Sequence, residues 1–346
     1  MVTAMTHLAY YLPAAGAPAE LIQRATPTPG PGELLIETKA VALNPLDWYQ
    51  RGWGFHIKHP AVIGSDVAGI VIATGTDVPA GAPKVGARVL AMAPSFYSFG
   101  KPDYGALQEK VVVSSADIME LPDSMSFVDA ATFPMAILTA WSGWYSIGLR
   151  RDTSYTAADK KCMLVWGGAS SIGGMAVQTA KTMGYTVFAS ASPKNFDYVK
   201  SLGAAKVFDY HDTDVVEQIV RAAKEDGLSI STGFDSAGDM KSCHAILKEF
   251  GTESEPALLS EARPFTPEQE PITPGVMMKF IVPPENDIER AEFVAFIFAW
   301  LKQHIADGSV VPSPPARVVE GGLAGVDAAL DILQKGVSCE KLVVEI

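Results

Sequence analysis

The sequence predicts an α/β protein: a doubly wound parallel sheet with helices on both faces, joined to a smaller, mostly β domain. Three observations predict it. Cys162 to Trp166 is an apolar run of the length of a strand buried on both faces, and it breaks abruptly into Gly167-Gly168. Downstream of it, strand-like and helix-like runs alternate for about 130 residues, which implies parallel strands with crossover helices. Upstream, from Leu8 to about Leu121, short β-rich runs are separated by glycine and proline, the spacing of a compact β domain.

In the upstream part the strands fall at HLAYYL (7–12), ELLIETKAVAL (33–43), VAGIVIATG (67–75), ARVLAMA (87–93) and ALQEKVVV (106–113). The turn signal Pro29-Gly30-Pro31-Gly32 precedes the second, which leads into Asn44-Pro45-Leu46-Asp47-Trp48-Tyr49, read as a cleft-forming loop. Gly64, Gly69 and Gly75 suit tight turns and close backbone approach. From Ser126 the pattern turns helical, with Phe127, Ala130, Ala131, Phe133 and Ile137 on related faces and Pro134 dividing two short helices. After a polar loop, Arg150 to Asp159, strands are expected at Cys162–Trp166, Thr186–Ser190, Lys206–Asp209, Ser231–Asp235, Ala257–Ser260 and Met278–Val282. Helices are expected between them at Ser171–Gly184, Asn195–Leu202, Val215–Lys224 and Met240–Phe250. Glu261 to Gly275, acidic and proline-rich, reads as a surface loop or cleft cover. A long amphipathic helix over Glu289–Ile305 follows, then a strand at Ala316–Glu320, a helix at Gly325–Leu333 and a last strand at Lys341–Ile346.

Composition narrows the function. With 346 residues, 48% of them hydrophobic, the chain is long enough for about two domains with large cores. A formal charge of −12 argues against nucleic acid or an anionic membrane as partner, since both select basic surfaces. The three cysteines, Cys162, Cys243 and Cys339, are far apart and suggest neither a disulfide framework nor a cysteine-rich zinc site, so a reducing cytoplasm is expected. The N-terminal residues lack a secretory pattern, and no segment reaches the about 18 apolar residues of a membrane span.

The turn after the central strand carries the chemistry. Gly168-Ala169-Ser170-Ser171-Ile172-Gly173 follows the dinucleotide fingerprint GxGxxG with serine at the middle glycine, and Ile172, Met175, Ala176, Thr179 and Met183 form the apolar stripe of the helix it opens. Unpaired amides and the positive dipole end at such a helix start attract a pyrophosphate, and glycine lets anion and sheet come close. Ser170 departs from the pattern, adding bulk and a hydroxyl donor. About 20 residues beyond the glycines, NAD-selective domains place an acid. Here that zone is Ser190-Ala191-Ser192-Pro193-Lys194-Asn195, with no carboxylate before Asp197. Ser192, Lys194 and Asn195 are donors suited to a 2′-phosphate, which favours NADPH over NADH. Lys194 alone reads equally as a solvated helix-start residue; its coincidence with the missing acid favours the phosphate.

Taken in order, NPLD (44–47), GSDVAGIV (64–71), AATFP with TAW (130–141), the nucleotide loop, LGA (202–204) and GVSCEKLV (336–343) resemble the medium-chain dehydrogenase/reductase superfamily over nearly the whole chain. The resemblance implies a GroES-like β domain from residues 1–125 and 308–346, with a Rossmann domain at 126–307. Zinc-dependent members carry cysteine where this chain has Asn44, and histidine and glutamate where it has Ser65 and Asp66; Leu90 to Val113, the region of a structural zinc lobe, contains no cysteine. Asp66 alone cannot supply a tetrahedral zinc set, so no metal is expected. SPKN (192–195), FDY (208–210) and the KLV tail most resemble the zinc-free fungal enoyl reductases that act in trans on polyketide synthases. From the resemblance Tyr210 is expected at the adenosine phosphate, and Thr139, which otherwise reads as a helix threonine bonding its own backbone, at the nicotinamide half. Asn44, Pro45 and Asp47 lie where the family places chemistry, with an Asx-turn as the structural alternative. Val337 and Ser338 are expected to border the cofactor.

The expected reaction is hydride transfer from NADPH to the β-carbon of an α,β-unsaturated carbonyl, followed by protonation of the enolate. Related enoyl reductases often use a tyrosine near the glycine after NPxD; here Gly52-Trp53-Gly54 stands there, and tryptophan is no acid at neutral pH. Tyr49 and solvent are the remaining proton sources. Trp53, Phe133 and Trp141 are candidate pocket walls for an apolar substrate, free or carrier-bound, though such aromatics also serve as core. A detoxifying quinone reductase shares every cofactor feature, and an NADPH-binding protein without turnover is the alternative of another class. A monomer or homodimer is expected.

Overall fold

Strands β1 (Thr6–Tyr11) and β2 (Glu20–Ala25) pair antiparallel with Tyr10 opposite Leu21 in this computed structural model, which describes residues 5–266 and 268–346. The sequence does not announce β2: none of its six residues is buried, so no apolar alternation marks it. β3 (Glu33–Ala42) is the spine of the larger β sheet. The segment after it, read as a loop, is instead a helix, α1 (Pro45–Trp53). Asn44 precedes it in extended backbone, Pro45 occupies the first turn where its missing N–H is not needed, and Asp47 accepts the Asn44 N–H at 2.7 Å. The N-P-x-D spacing, one of the motifs behind the resemblance, is thus also a helix-opening signal. β4 (Asp66–Thr74), β5 (Arg88–Met92), β6 (Lys110–Ser114), the three-residue β7 (Ile118–Glu120) and α2 (Phe127–Ala130) follow.

Pro134 opens α3 (Pro134–Ser146), so the two helices expected to meet there do. Strands and helices then alternate as β8 (Lys161–Trp166), α4 (Ser171–Thr182), β9 (Thr186–Ala191), α5 (Phe196–Ser201), β10 (Ala204–Asp209), α6 (Val215–Glu225), β11 (Ser229–Asp235), α7 (Met240–Leu247), β12 (Ala257–Glu261) and β13 (Val276–Phe280). β13 lies two residues earlier than the expected Met278–Val282, because its register with β12 runs from Ala257↔Val276 to Glu261↔Phe280 and prolines follow. The 20-residue α8 (Asp287–Ala306) buries Phe293, Val294, Ile297, Phe298 and Leu301 at helical spacing. β14 (Ala316–Val318), α9 (Val326–Lys335) and β15 (Lys341–Glu345) complete the chain.

The molecule divides into two units, one formed by Met1–Met135, Val294–Ala306 and Pro315–Ile346, the other by Ala136–Phe293 and Asp307–Pro314. In the first, a seven-stranded sheet runs in the order β14-β15-β3-β4-β5-β7, with β6 also on β3. Leu34, Ile36, Val67, Val89, Leu107 and Leu342 form the heart of its core. In the second, six parallel strands run β10-β9-β8-β11-β12-β13. Their order reverses between β8 and β11, and open sheets of this kind take ligands at the carboxyl edge beside that reversal. Leu164, Phe188, Ile230, Ile246 and Leu259 fill this unit's core. No helix among the described residues is long and apolar enough to cross a membrane.

Candidate active site

The turn after β8 lies at the strand-order reversal of the second unit. Gly167 adopts φ 84°, a left-handed conformation that glycine takes without a Cβ clash, and its N–H donates to Ser190 Oγ at 2.9 Å. At Gly173 an added Cβ would lie 2.2 Å from Gly167 O, so α4 reaches the turn only because that position is bare. Ser170, the departure from the fingerprint, is the N-cap of α4: its Oγ accepts the Gly173 N–H at 3.0 Å. Ser171 Oγ is buried in the first turn with no hydrogen-bond partner, and Ile172 beside it is half-buried. An unpartnered hydroxyl beside the open amides of a helix start fits an anionic group.

The end of β9 supplies the second part. Ser192 Oγ and Tyr210 Oη are hydrogen-bonded at 2.9 Å, which joins the turns after β9 and β10. Lys194 is exposed in the short 3-10 turn Pro193–Asn195, while Asn195 is mostly buried at the start of α5. The closest acid on the neighbouring strand, Asp209, is engaged by its own loop, accepting from the His211 N–H and ring Nδ1, and these bonds hold its carboxyl below the usual range. The arrangement is rich in donors where NAD-selective sites carry an acid.

In the first unit a polar cluster lies at the start of α1. Continuing the antiparallel register of β15 on β3 places Lys341 beside Asn44, and the Lys341 ammonium donates to Asn44 Oδ1 at 2.5 Å and pairs with Asp66 Oδ2 at 3.2 Å. Asn44 Nδ2 donates to the same Asp66 oxygen at 2.9 Å, and the Met135 N–H reaches Asp66 Oδ1 at 2.6 Å. Every acceptor of Asp66 is thus turned to protein. Burial pushes the neighbouring Asp47 carboxyl up to about 7, with the Asp66 charge adding to the rise and the Asn44 amide and Lys341 opposing it. Lys341 is the residue that sequence reasoning missed, although the KLV tail was among the motifs. Ser65 is fully buried, and no group of three or more His, Cys, Asp or Glu side chains that could hold a metal occurs among the described residues. A zinc ion does not suit this cluster: it has no thiolate or imidazole, its Asp66 carboxylate already faces an ammonium, and its Asp47 carboxyl accepts the Asn44 N–H.

The other expected site residues fall in both units. Tyr49 is half-buried on α1 and stacks on Trp53 with ring centroids 5.1 Å apart. Trp53 itself is 70% exposed, too open to serve as a pocket wall within its unit. Phe133 and Trp141 are sealed in the interior, where they add core rather than ligand-facing surface. Thr139 is half-buried on α3, Val337 packs against the first unit's core before β15, and Ser338 is exposed.

One unit with a six-stranded parallel sheet and another whose sheet takes in the tail strand are the two folds of the alcohol-dehydrogenase-like class. The chain belongs to the medium-chain dehydrogenase/reductase superfamily: residues 30–123 match the alcohol dehydrogenase GroES-like domain and residues 171–278 the zinc-binding dehydrogenase domain. It is 44% identical over 345 residues to the trans-enoyl reductase tndF of Aspergillus flavipes, covering 99% of both chains. It is 46% identical over 288 residues to the trans-enoyl reductase tazE of Aspergillus terreus, covering 82% of this chain and 94% of that one. Among solved structures, the CurK enoyl reductase aligns over 98% of this chain and 99% of its own with a TM-score of 0.73, at 21% identity, a likeness of fold.

Proposed function

We propose that the protein is an NADPH-dependent reductase of the C=C bond of an α,β-unsaturated carbonyl compound, of the kind used in fungal polyketide metabolism. The observation that carries the reading is the full-length 44% identity to a trans-enoyl reductase. When bound, NADPH supplies the hydride, and the chain contributes binding, orientation and charge control. Gly168, Ser170, Ser171, Ile172 and Gly173 hold the pyrophosphate on the first turn of α4. Ser192, Lys194, Asn195 and Tyr210 take the 2′-phosphate, Lys194 as cation and the hydroxyls as donors. Asn44, Pro45, Asp47, Thr139, Val337 and Ser338 serve the nicotinamide half. Residues 1–125 and 308–346 then serve as the substrate half and 126–307 as the cofactor half. The Tyr49 hydroxyl, or solvent, delivers the proton to the α-carbon; the Trp53 indole has no acidic proton to give. No metal takes part, and the substrate is apolar, free or carrier-bound.

The test is cofactor consumption with enones, enoyl thioesters, quinones and simple aldehydes, using NADPH and NADH in parallel. Without a Lewis acid little drives hydride onto a carbonyl carbon, so C=C reduction should exceed aldehyde reduction by more than about tenfold, with a preference for NADPH of similar size. The product should be a saturated ketone or thioester. An alcohol with its C=C bond intact overturns the proposal.

A further inference from the structure

At the carboxyl edge of the six-stranded sheet, Asp235 and Glu261 end neighbouring parallel strands as register partners, and both side chains are sealed from solvent. Each carboxyl has one oxygen committed to backbone. Asp235 Oδ1 accepts from Ala237 N at 2.9 Å and Gly238 N at 2.8 Å, and Glu261 Oε1 accepts from Arg263 N at 2.7 Å. The second oxygens, Asp235 Oδ2 and Glu261 Oε2, have no hydrogen-bond partner, and the parallel register sets the two buried carboxyl groups side by side. Two facing carboxylates with no cation between them repel strongly in a dry interior, and a single proton turns the pair into donor and acceptor. The surrounding groups do not supply that cation. Asp239 before α7 adds negative charge, burial and these acids push the Cys243 thiol on α7 up, so that it stays neutral, and Arg263, exposed beyond β12, partly offsets the charge of Glu261.

The pair connects to the nucleotide loop by short links. The Ala237 and Gly238 amides on Asp235 shape the turn that begins at Ser236. Ser236 Oγ donates to Trp166 O at 2.6 Å and lies 3.0 Å from Ser170 Oγ, the cap of α4. The turn is packed from outside as well: an added Cβ at Gly238 would come 2.5 Å from Arg263 Cδ. We propose that Asp235 and Glu261 share one proton, and that this proton holds the turn after β11 in the shape that supports the nucleotide loop, so that its loss weakens cofactor binding. The inference rests on the cofactor reading above. Burial, then the charge of Asp235, pushes Glu261 up to about 8, and burial raises Asp235 as well. The folded protein therefore keeps a proton that the unfolded chain has released above the ordinary carboxylate range. Its contribution is complete at acid pH and is lost as pH rises through about 8.

NADPH titrations between about pH 6.5 and about pH 9.5 on the native protein and on Glu261→Gln test this, since the glutamine amide places an N–H where the shared proton sits. Across that range the native dissociation constant should rise at least about tenfold more than the variant's, as the loss of one proton implies, since Asp47 titrates in both proteins. Parallel changes in the two proteins overturn the proposal, and Asp235→Asn gives the same comparison should Glu261→Gln not fold. If NADPH binds at no pH, the cofactor reading falls and the coupling with it. The melting temperature without cofactor still reports on the proton: Asp47 titrates in both proteins, so the native protein should lose more stability across the range than Glu261→Gln does, and equal losses refute the shared proton.

Discussion

Lys341 is 4% exposed, and Asp66, its partner, is fully buried. A buried ion pair is retained only when both charges are matched and hydrogen-bonded, and here Asn44 and the Met135 amide complete the set. Lys341→Met leaves the Asp66 carboxylate without a counter-charge and should cost about 3–5 kcal/mol in chemical denaturation. Adding Asp66→Asn to that variant should return part of the loss; an unchanged midpoint in Lys341→Met refutes the account. Asn44 was legible because an asparagine before proline stands out. Lys341 was not, because a lysine opening KLVVEI reads as a solvated strand end until pairing with β3 brings it to Asn44. Asp235 and Glu261 escaped notice for a related reason: only the parallel register makes two separate strand-end acids into neighbours.

Helix α4 depends on a close approach that a single methyl would block. Gly173→Ala places a Cβ 2.2 Å from the Gly167 carbonyl, so the helix start and the turn cannot both keep their positions. A loss of about 1–3 kcal/mol in thermal denaturation is expected, as for overpacking, together with at least about tenfold weaker NADPH binding. Retention of both properties shows that the turn tolerates the methyl. This element could be read in the sequence because an apolar strand, a glycine turn and a helical stripe agree. The opening of α1 could not, since Asn44 to Tyr49 offers no apolar stripe long enough to outweigh its proline, and its start is fixed by one Asp47 carboxylate. The strands β2 and β7 were lost on different grounds, the first for want of buried residues and the second because it is only three residues long.

For the whole molecule, the alternation of strands and helices carried the parallel sheet, and glycine-punctuated β runs carried the other unit. What the sequence withheld was pairing across long separations, above all the return of β14 and β15 to a sheet begun by β3. The absence of soft ligands at Asn44 and Ser65 bears on the entire protein, because a cation is already supplied by the chain. Prolonged chelation should leave both activity and melting temperature unchanged, and stoichiometric zinc lost together with activity refutes this. The place of β15 also sets an order of events at the ribosome. The strand lies between β14 and β3 and carries the Lys341 ammonium, yet it is synthesised after every other strand of the fold. The six parallel strands from β8 to β13 have all been translated by Phe280, so that sheet can assemble during synthesis. The unit that begins the chain must instead wait with β3 missing one neighbour and Asp66 lacking its cation, a nascent edge that is exposed until the tail emerges.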